Sequence, residues 1–166
     1  MPQHTIELDE TSLRILDLLQ QNADISNAEL AERVGLSTSP CWRRVTEMKE
    51  KGVLRGAVML ADPLSLGLAV NVFVHVSLKQ QDKVSLRHFT PEVMECYLMT
   101  GESDFLLRVV VENLQKYQLL MMDCLTQIES VSSIRSSFAL SQVKYTTALP
   151  TQHLRTSPGR SAASSR

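Results

Sequence analysis

The chain has 166 residues, 43% of them hydrophobic, which is enough to bury a core in one domain or in two small ones. No apolar run reaches the ~18 residues that a membrane-spanning helix needs, and the N-terminal residues lack the pattern of a signal peptide. We therefore expect a cytoplasmic protein with no membrane partner. The formal net charge of −1 argues against attraction to nucleic acid through bulk charge. Residues 33–55, in contrast, carry six cations and two anions, and this local excess predicts a docking patch for phosphate.

Three helices are predicted in the first 55 residues. Apolar residues at helical spacing predict the first from Asp9 to about Gln21. Ser26 opens an S-x-x-E capping-box pattern, which predicts a second helix, and Gly35 ends that helix in a tight turn. Ser37 is the predicted N-cap of a third helix. Two helices joined by a short turn that contains glycine indicate a helix-turn-helix.

The third helix has two different faces. At 100° per residue, Cys41, Val45 and Met48 share an apolar face that can close a core, while Ser39 and Arg43 lie opposite. In a helix-turn-helix, the N-terminal residues of the second helix enter the major groove, where arginine can pair with guanine. Trp42 could contact DNA or form the rim of the core, and both interpretations stay open. The predicted DNA-binding residues are Ser37, Thr38, Ser39, Pro40, Trp42, Arg43, Arg44 and Glu47.

The second half of the chain changes its hydrophobic period from 3.6 towards 2, which predicts strands. They lie near residues 70–79, 93–99, 105–111 and 131–140, with helices near 83–89 and 114–128 and a further edge strand at 144–149. The order β-α-β-β-α-β is that of a ferredoxin-like sandwich, whose uncovered sheet face needs a partner, most simply a second copy.

We therefore predict an α+β chain. Its parts are a winged-helix-like helix-turn-helix domain over 1–55, a linker with a short strand over 56–68, the sandwich over 69–149 and a disordered tail over 150–166.

The sequence offers no constellation for catalysis or metal binding. The three cysteines, Cys41, Cys96 and Cys124, show no CxxC spacing, so we expect small buried apolar residues. The four histidines form no ligand spacing, and we find no nucleophile elbow or phosphate-cradling glycine loop. We predict no catalytic residue, no metal site and no enzyme.

Five segments together resemble one known family. They read LDETSLRILDLLQQNADISNAELAERVGLS, RRVTEMKEKGVLRG, DPLSLGL, TGESDFLLRVVV and IRSSFALSQVKYTTALP. In this order the chain resembles the Lrp/AsnC, or feast/famine, bacterial transcriptional regulators over about residues 8–150. The resemblance implies a helix-turn-helix followed by a sandwich that forms dimers and then octamers. It also implies an amino-acid effector between subunits, with no other cofactor. The chain departs from the family in one respect. Its first sandwich helix is shorter than is usual in the family by about six residues, which is between one and two helical turns. Because this helix covers part of the sheet, the difference affects the expected geometry of the oligomer.

The TGESD segment has two possible roles. The residues alone predict a hairpin turn in which Gly101 supplies a positive φ and Asp104 bonds the local backbone. The family resemblance instead places Thr100, Gly101, Glu102 and Asp104 beside the effector, and an α-amino group does need a carboxylate or carbonyl acceptor.

Three functions follow from these features. The first is a sequence-specific regulator that binds pseudo-palindromic double-stranded DNA as a homo-oligomer. The second is an enzyme similar to the siroheme decarboxylases, which resemble the same architecture but would need basic and histidine side chains converging on a tetrapyrrole. The third is an architectural protein that coats DNA without sequence preference. We favour the regulator, because an intact helix-turn-helix with an arginine-bearing face suits groove binding.

Overall fold

The N-terminal residues fold as three short helices around one core. In the computed structural model, which describes residues 6–79, 90–126 and 128–155, these are α1 (Glu10–Gln21), α2 (Asn27–Val34) and α3 (Thr38–Glu50). Ile15, Leu30, Cys41 and Met48 are almost completely buried where the apolar faces meet. The three predicted helices are confirmed.

Local hydrogen bonds set the ends of the helices. At α2 the Ser26 hydroxyl oxygen accepts the Glu29 N–H (3.2 Å), as a capping box requires, but the Glu29 carboxylate pairs with Arg33 one turn later. Gly35 then ends α2 with φ at 72°, a left-handed conformation that side chains disfavour. Ser37 precedes α3 as predicted, but its side chain makes no capping hydrogen bond.

The chain returns to this helical unit near its C-terminus, because the unit comprises residues up to Met59 and again from Lys144. The main chain of Leu149 makes two hydrogen bonds with the Gln20 side chain of α1. The Leu149 N–H donates to the Gln20 amide oxygen (2.7 Å), and the Gln20 amide nitrogen donates to the Leu149 carbonyl (3.1 Å). A last short helix, α5 (Gln152–Arg155), follows at once. We refer to residues 144–155 as the C-terminal strap.

Charged and polar contacts complete the attachment of the C-terminal strap. The buried Thr151 hydroxyl donates to the Asp17 carboxylate (2.8 Å). Arg155 pairs with Asp17 (2.5 Å) and with Glu10 (3.0 Å), so that one cation bridges two acids of α1. These contacts join parts of the chain more than 130 residues apart.

The structure differs from the sequence prediction at this end of the chain. A disordered tail was expected from residue 150, yet residues 150–155 are ordered, because α1 presents an amide and two carboxylates to their polar groups. The expected edge strand at 144–149 is wrong, because these residues pair with none of the strands that the structure describes. Residues 156–166 lie outside the described part of the chain.

The second unit, Leu60–Val143, is built on a four-stranded sheet. Its strands are β1 (Val70–Leu78), β2 (Val93–Leu98), β3 (Phe105–Val111) and β4 (Val131–Phe138), in the antiparallel order β2-β3-β1-β4. On one face, alternate valines of β1 are fully buried beneath α4 (Leu114–Leu120), which continues into a π-helical turn, Met121–Leu125. This is the predicted ferredoxin-like sandwich. Its predicted first helix, near 83–89, lies outside the described residues.

No described residue outside the sheet is seen to cover its other face. At its centre Arg108 of β3 pairs with Glu95 of β2 (2.9 Å), and the Tyr97 hydroxyl donates to the same Glu95 carboxylate (2.8 Å). Phe73 and Tyr97 are both exposed on this face. An aromatic and polar sheet face of this kind suits burial by a partner.

Two smaller predictions are corrected. Residues 56–68 contain a turn, in which Asp62 accepts the Ser65 N–H (2.6 Å), but no strand. A strand needs a neighbouring backbone with which to form hydrogen bonds, and no described strand pairs with these residues. Among the cysteines, Cys41 is buried as expected, whereas Cys124 is only half-buried and Cys96, on the edge strand β2, is exposed.

The described residues show neither membrane-spanning nor metal-binding features. None of their helices combines the length and the apolar content needed to cross a bilayer. Within the same residues, no three histidine, cysteine or acidic side chains converge on a point that could hold a metal ion.

Candidate DNA and effector sites

The outward face of α3 carries Ser39 and Arg43, both exposed to solvent. The opposite face is fixed, because Cys41, Val45 and Met48 are buried in the helical core. A helix held firmly on one side presents its other side at a defined angle. Arg43 is therefore exposed on the face that the sequence predicted to contact DNA.

The first turn of α3 is fixed to α2. The Asn27 side-chain amide donates to the Thr38 carbonyl (3.0 Å), which joins the beginnings of the two helices. The Ser37 and Thr38 side chains are exposed at this end of α3, and Pro40 is half-buried behind them. Hydroxyl and backbone N–H groups at a helix N-terminus are suitable donors to a phosphate.

Arg44 points away from this face and towards the start of α1. Its guanidinium donates to both carboxylate oxygens of Asp9 (2.7 and 2.6 Å) and to the Ser12 hydroxyl (2.9 Å). Asp9 also caps α1 by accepting the Ser12 N–H (2.8 Å). Partial burial acts to raise the pKa of Asp9, but the bonds from Arg44 and Ser12 outweigh it and hold that pKa below its ordinary value. Arg44 therefore ties α3 to α1, and the geometry favours this role over the predicted contact with DNA.

Trp42 and Glu47 flank the outward face on opposite sides. The Trp42 ring is 56% exposed, and the Lys49 ammonium lies over it, 5.5 Å from the ring centre. Glu47 pairs with Lys51 one turn later (2.5 Å), and this hydrogen bond lowers the pKa of the Glu47 carboxyl. A carboxylate repels phosphate, so Glu47 could contact DNA only through a base donor such as the cytosine amino group.

The TGESD segment forms the turn between β2 and β3. Gly101 has φ at 119°, outside the range that side chains favour, as the hairpin interpretation required. Asp104 pins this turn to the end of β1: its carboxylate accepts the Leu78 N–H (2.7 Å), and its own N–H donates to the Val76 carbonyl (2.9 Å). Thr100 and Glu102 are exposed beside it.

Several polar groups around this turn were missed by sequence reasoning. His75 Nδ1 lies 3.3 Å from the Ser103 hydroxyl, the Ser77 hydroxyl donates to the Glu102 carbonyl (3.2 Å), and Arg135 pairs loosely with the Glu102 carboxylate (3.4 Å). These residues come from three strands or turns of one unit. Their only sequence signal was the polar alternation of β1 and β4, which predicts a sheet face but not its neighbours.

Comparisons with known proteins agree with this architecture. Residues 8–55 match the family described as "Winged helix-turn-helix DNA-binding". Residues 71–149 match the family described as "Lrp/AsnC ligand binding domain". The leucine-responsive regulatory protein of Rhizobium meliloti strain 1021 is 41% identical over 84% of this chain and 93% of its own length. The chain belongs to the Lrp/AsnC family. It is a DNA-binding transcriptional regulator, as the two matched domains and the names of its relatives indicate.

Two further Lrp/AsnC relatives extend the comparison. The Bkd operon transcriptional regulator of Pseudomonas aeruginosa strain PAO1 is 40% identical over 87% of this chain and 98% of its own length. A solved transcriptional regulator of Neisseria meningitidis, in complex with L-Met, has a TM-score of 0.83 and 37% identity, and the match covers 89% of this chain and 99% of that one.

Proposed function

We propose that this Lrp/AsnC regulator binds pseudo-palindromic DNA through α3 and responds to a small amino acid. The observation that supports DNA reading most directly is the exposed outward face of α3, with Ser39 and Arg43 carried on a helix whose other face is buried. Groove contacts come from Thr38, Ser39 and Arg43, and phosphate contacts from the helix start at Ser37. A protein that acts on the bacterial chromosome works in the cytoplasm.

A second copy of the chain covers the exposed apolar surface. In the described part of the sandwich unit six aliphatic side chains are at least 61% exposed, namely Leu60, Leu64, Leu66, Leu98, Leu140 and Val143. Monomers rarely expose so much aliphatic surface together with an uncovered sheet face. A two-fold dimer would present two copies of α3, and dimers would assemble further towards an octamer. Light scattering on the full chain tests this, and a monomer at micromolar concentration would contradict it.

Selection of bound DNA from a random pool tests sequence-specific reading. At physiological salt we expect enrichment of a dyad whose half-sites are one or more helical turns apart. Arg43→Met should relax the preference at one base position of each half-site. If Arg43→Met instead weakens binding to all DNA sequences equally, Arg43 contacts a phosphate. If the unaltered chain enriches no motif, the architectural alternative is favoured.

The effector is proposed to be an amino acid held at the 100–104 turn. Support comes from the ligand-binding domain match and from the L-Met complex of the Neisseria relative. The Asp104 carboxylate has a second oxygen that can accept from an α-ammonium group, while Gly101 allows close approach of the ligand to the backbone.

Asp104→Asn is the sharpest variant for this site. Asparagine can still accept the Leu78 N–H through its oxygen, so the turn should stay intact while the charge is lost. Calorimetry with each of the twenty amino acids should show binding of a small subset, weakened by about tenfold or more in the variant. Unchanged affinity would leave Asp104 with a structural role alone.

A further inference from the structure

The structure separates the six cations of residues 33–55 into two groups. Three are paired at 2.5 to 2.6 Å with acids of the helical unit: Arg33 with Glu29, Arg44 with Asp9 and Lys51 with Glu47. No ion pair among the described residues involves the other three, which are Arg43, Lys49 and Arg55. A cation that is already paired must give up or share its acid to bind a phosphate, so the second group is better suited to bind DNA.

The backbone that follows α3 holds Arg55 in a defined place. The N–H groups of Val53 and Leu54 both donate to the Met48 carbonyl in the last turn of α3 (2.9 and 3.1 Å). The side chains of Val53 and Leu54 are half-buried and pack against the helical core. Arg55 is the next residue, and it is exposed to solvent. It therefore belongs to a segment that is fixed to α3, although it lies outside the helix.

Lys49 and Arg55 lie on the same flank of α3. The Lys49 ammonium lies over the Trp42 ring, 5.5 Å from the ring centre. A ring face attracts a cation but does not cancel its charge. Lys49 and Trp42 border a cleft that is also lined by Leu54 and Gly56, the two neighbours of Arg55, and by no acidic residue among those described. The flank of α3 that carries Trp42 is therefore cationic.

We propose that Lys49 and Arg55 bind the phosphate backbone of DNA beside the groove that α3 enters. This inference rests on the proposed docking of α3. An α-helix with its side chains is ~10 to 12 Å across, close to the ~12 Å width of the major groove, so its flanks face the phosphates of the groove walls. Six residues at ~100° each place Lys49 about 120° around the helix from Arg43. While Arg43 faces the bases, Lys49 faces one wall of the groove, and Arg55 extends this contact beyond the end of the helix.

The salt dependence of binding measures these contacts, because phosphate contacts carry no sequence information but release counterions. The slope of log affinity against log salt is ~0.9 for each phosphate neutralised. Fluorescence anisotropy with the full chain, at about 50 to 200 mM salt, gives this slope on a labelled duplex of arbitrary sequence and on the selected dyad. Lys49→Gln and Arg55→Gln should each reduce the slope on both duplexes by about 0.9 for every bound copy of the chain. Binding at ~0.15 M salt should become about fivefold weaker per copy.

Lys51→Gln is the matched control. It removes the same charge two residues from Lys49, but Glu47 already neutralises that charge, so the slope should not change. Lys49→Arg and Arg55→Lys keep the positive charge and should retain the slope of the unaltered chain. The three replaced side chains are exposed, so all the variants should show the urea midpoint of the unaltered chain.

An unchanged slope in either Lys49→Gln or Arg55→Gln would overturn the proposal. An equal reduction in Lys51→Gln would also overturn it, because the slope would then follow overall charge and not contact with phosphate. The reading of sequence fails separately. If the unaltered chain enriches no motif but both Gln variants lower the slope on arbitrary DNA, base reading through Arg43 is contradicted and the phosphate contacts are supported.

Discussion

Replacing Arg44 should destabilise the helical unit, whereas replacing its neighbour Arg43 should not. The Arg44 guanidinium makes three hydrogen bonds of 2.6 to 2.9 Å to Asp9 and Ser12 at the start of α1. A buried charged hydrogen bond contributes ~1.5 to 3 kcal/mol, and an exposed ion pair ~0.2 to 1 kcal/mol. Arg44 and Asp9 are 28% and 53% exposed, an intermediate case, so we expect Arg44→Met to lose about 1 to 2 kcal/mol of unfolding free energy.

Urea unfolding followed by Trp42 emission measures this effect, because the single tryptophan lies in the helical unit. Asp9→Asn removes the negative charge but keeps a good N-cap, so it isolates the ion pair from the cap. Combining it with Arg44→Met in a double-mutant cycle should give a coupling of about 1 kcal/mol. In a unit of this size, 1 kcal/mol corresponds to a melting shift of ~4 to 8 °C.

Arg43→Met is the matched control, one residue away on the same helix. We expect the urea midpoint of this variant to equal that of the unaltered chain. Its binding to the selected DNA should be weaker by ~1 to 3 kcal/mol of binding free energy. Equal stability losses in the two variants, or a coupling between Asp9 and Arg44 near zero, would refute the assignment of Arg44 to the helical scaffold.

Three further predictions concern other parts of the chain. Gly35→Ala forces a side chain into φ of 72° and should cost about 1 to 2 kcal/mol in urea unfolding, whereas Gly35→Asn should be nearly neutral. Arg155→Met removes two ion pairs to α1, which should lower the free energy of local opening of this helix by about 1 kcal/mol. Hydrogen exchange at the α1 amides should then become about fivefold faster. Unchanged exchange rates would mean that the C-terminal strap does not stabilise α1. The bonds from Arg108 and Tyr97 lower the pKa of Glu95, so its charge stabilises the sandwich above the ordinary glutamate pKa, and this contribution disappears as pH falls through the lowered pKa. Glu95→Gln should therefore be less stable than the unaltered chain at neutral pH by circular dichroism, and the difference should shrink as the pH is lowered below the ordinary glutamate value of ~4.3; a difference that stays constant in acid would point to a packing effect.

The signals that were readable in the sequence are local ones. The ends of α2 were predictable because Ser26 and Gly35 act on backbone groups within a few residues of themselves. The alternation in β1 predicted its buried valines, since a strand places every second residue on the same face. The turn at Gly101 was predictable for the same reason, because the positive φ that favours glycine is a property of that residue's own backbone.

Partnerships between distant residues were not readable. Nothing beside Arg44 in the sequence distinguishes it from Arg43, and its partner Asp9 lies 35 positions away. Thr151 and Asp17 are 134 positions apart, so the polar segment around Thr151 resembled a free tail. In both cases the contact that determines the role of the residue forms only when distant segments pack together, so the local sequence does not predict it.

The return of the chain to α1 makes the sandwich an insertion within the DNA-binding unit rather than an appendage to it. The chain leaves that unit near Met59 and re-enters it at Lys144. A single protease cut at either junction would thus release no DNA-binding fragment, and two cuts would leave two peptides held together by contacts such as that between Thr151 and Asp17. An isolated fragment that ends at Met59 would expose the acids of α1 that Arg155 covers, so we expect it to be less stable than a complex of both pieces of the chain.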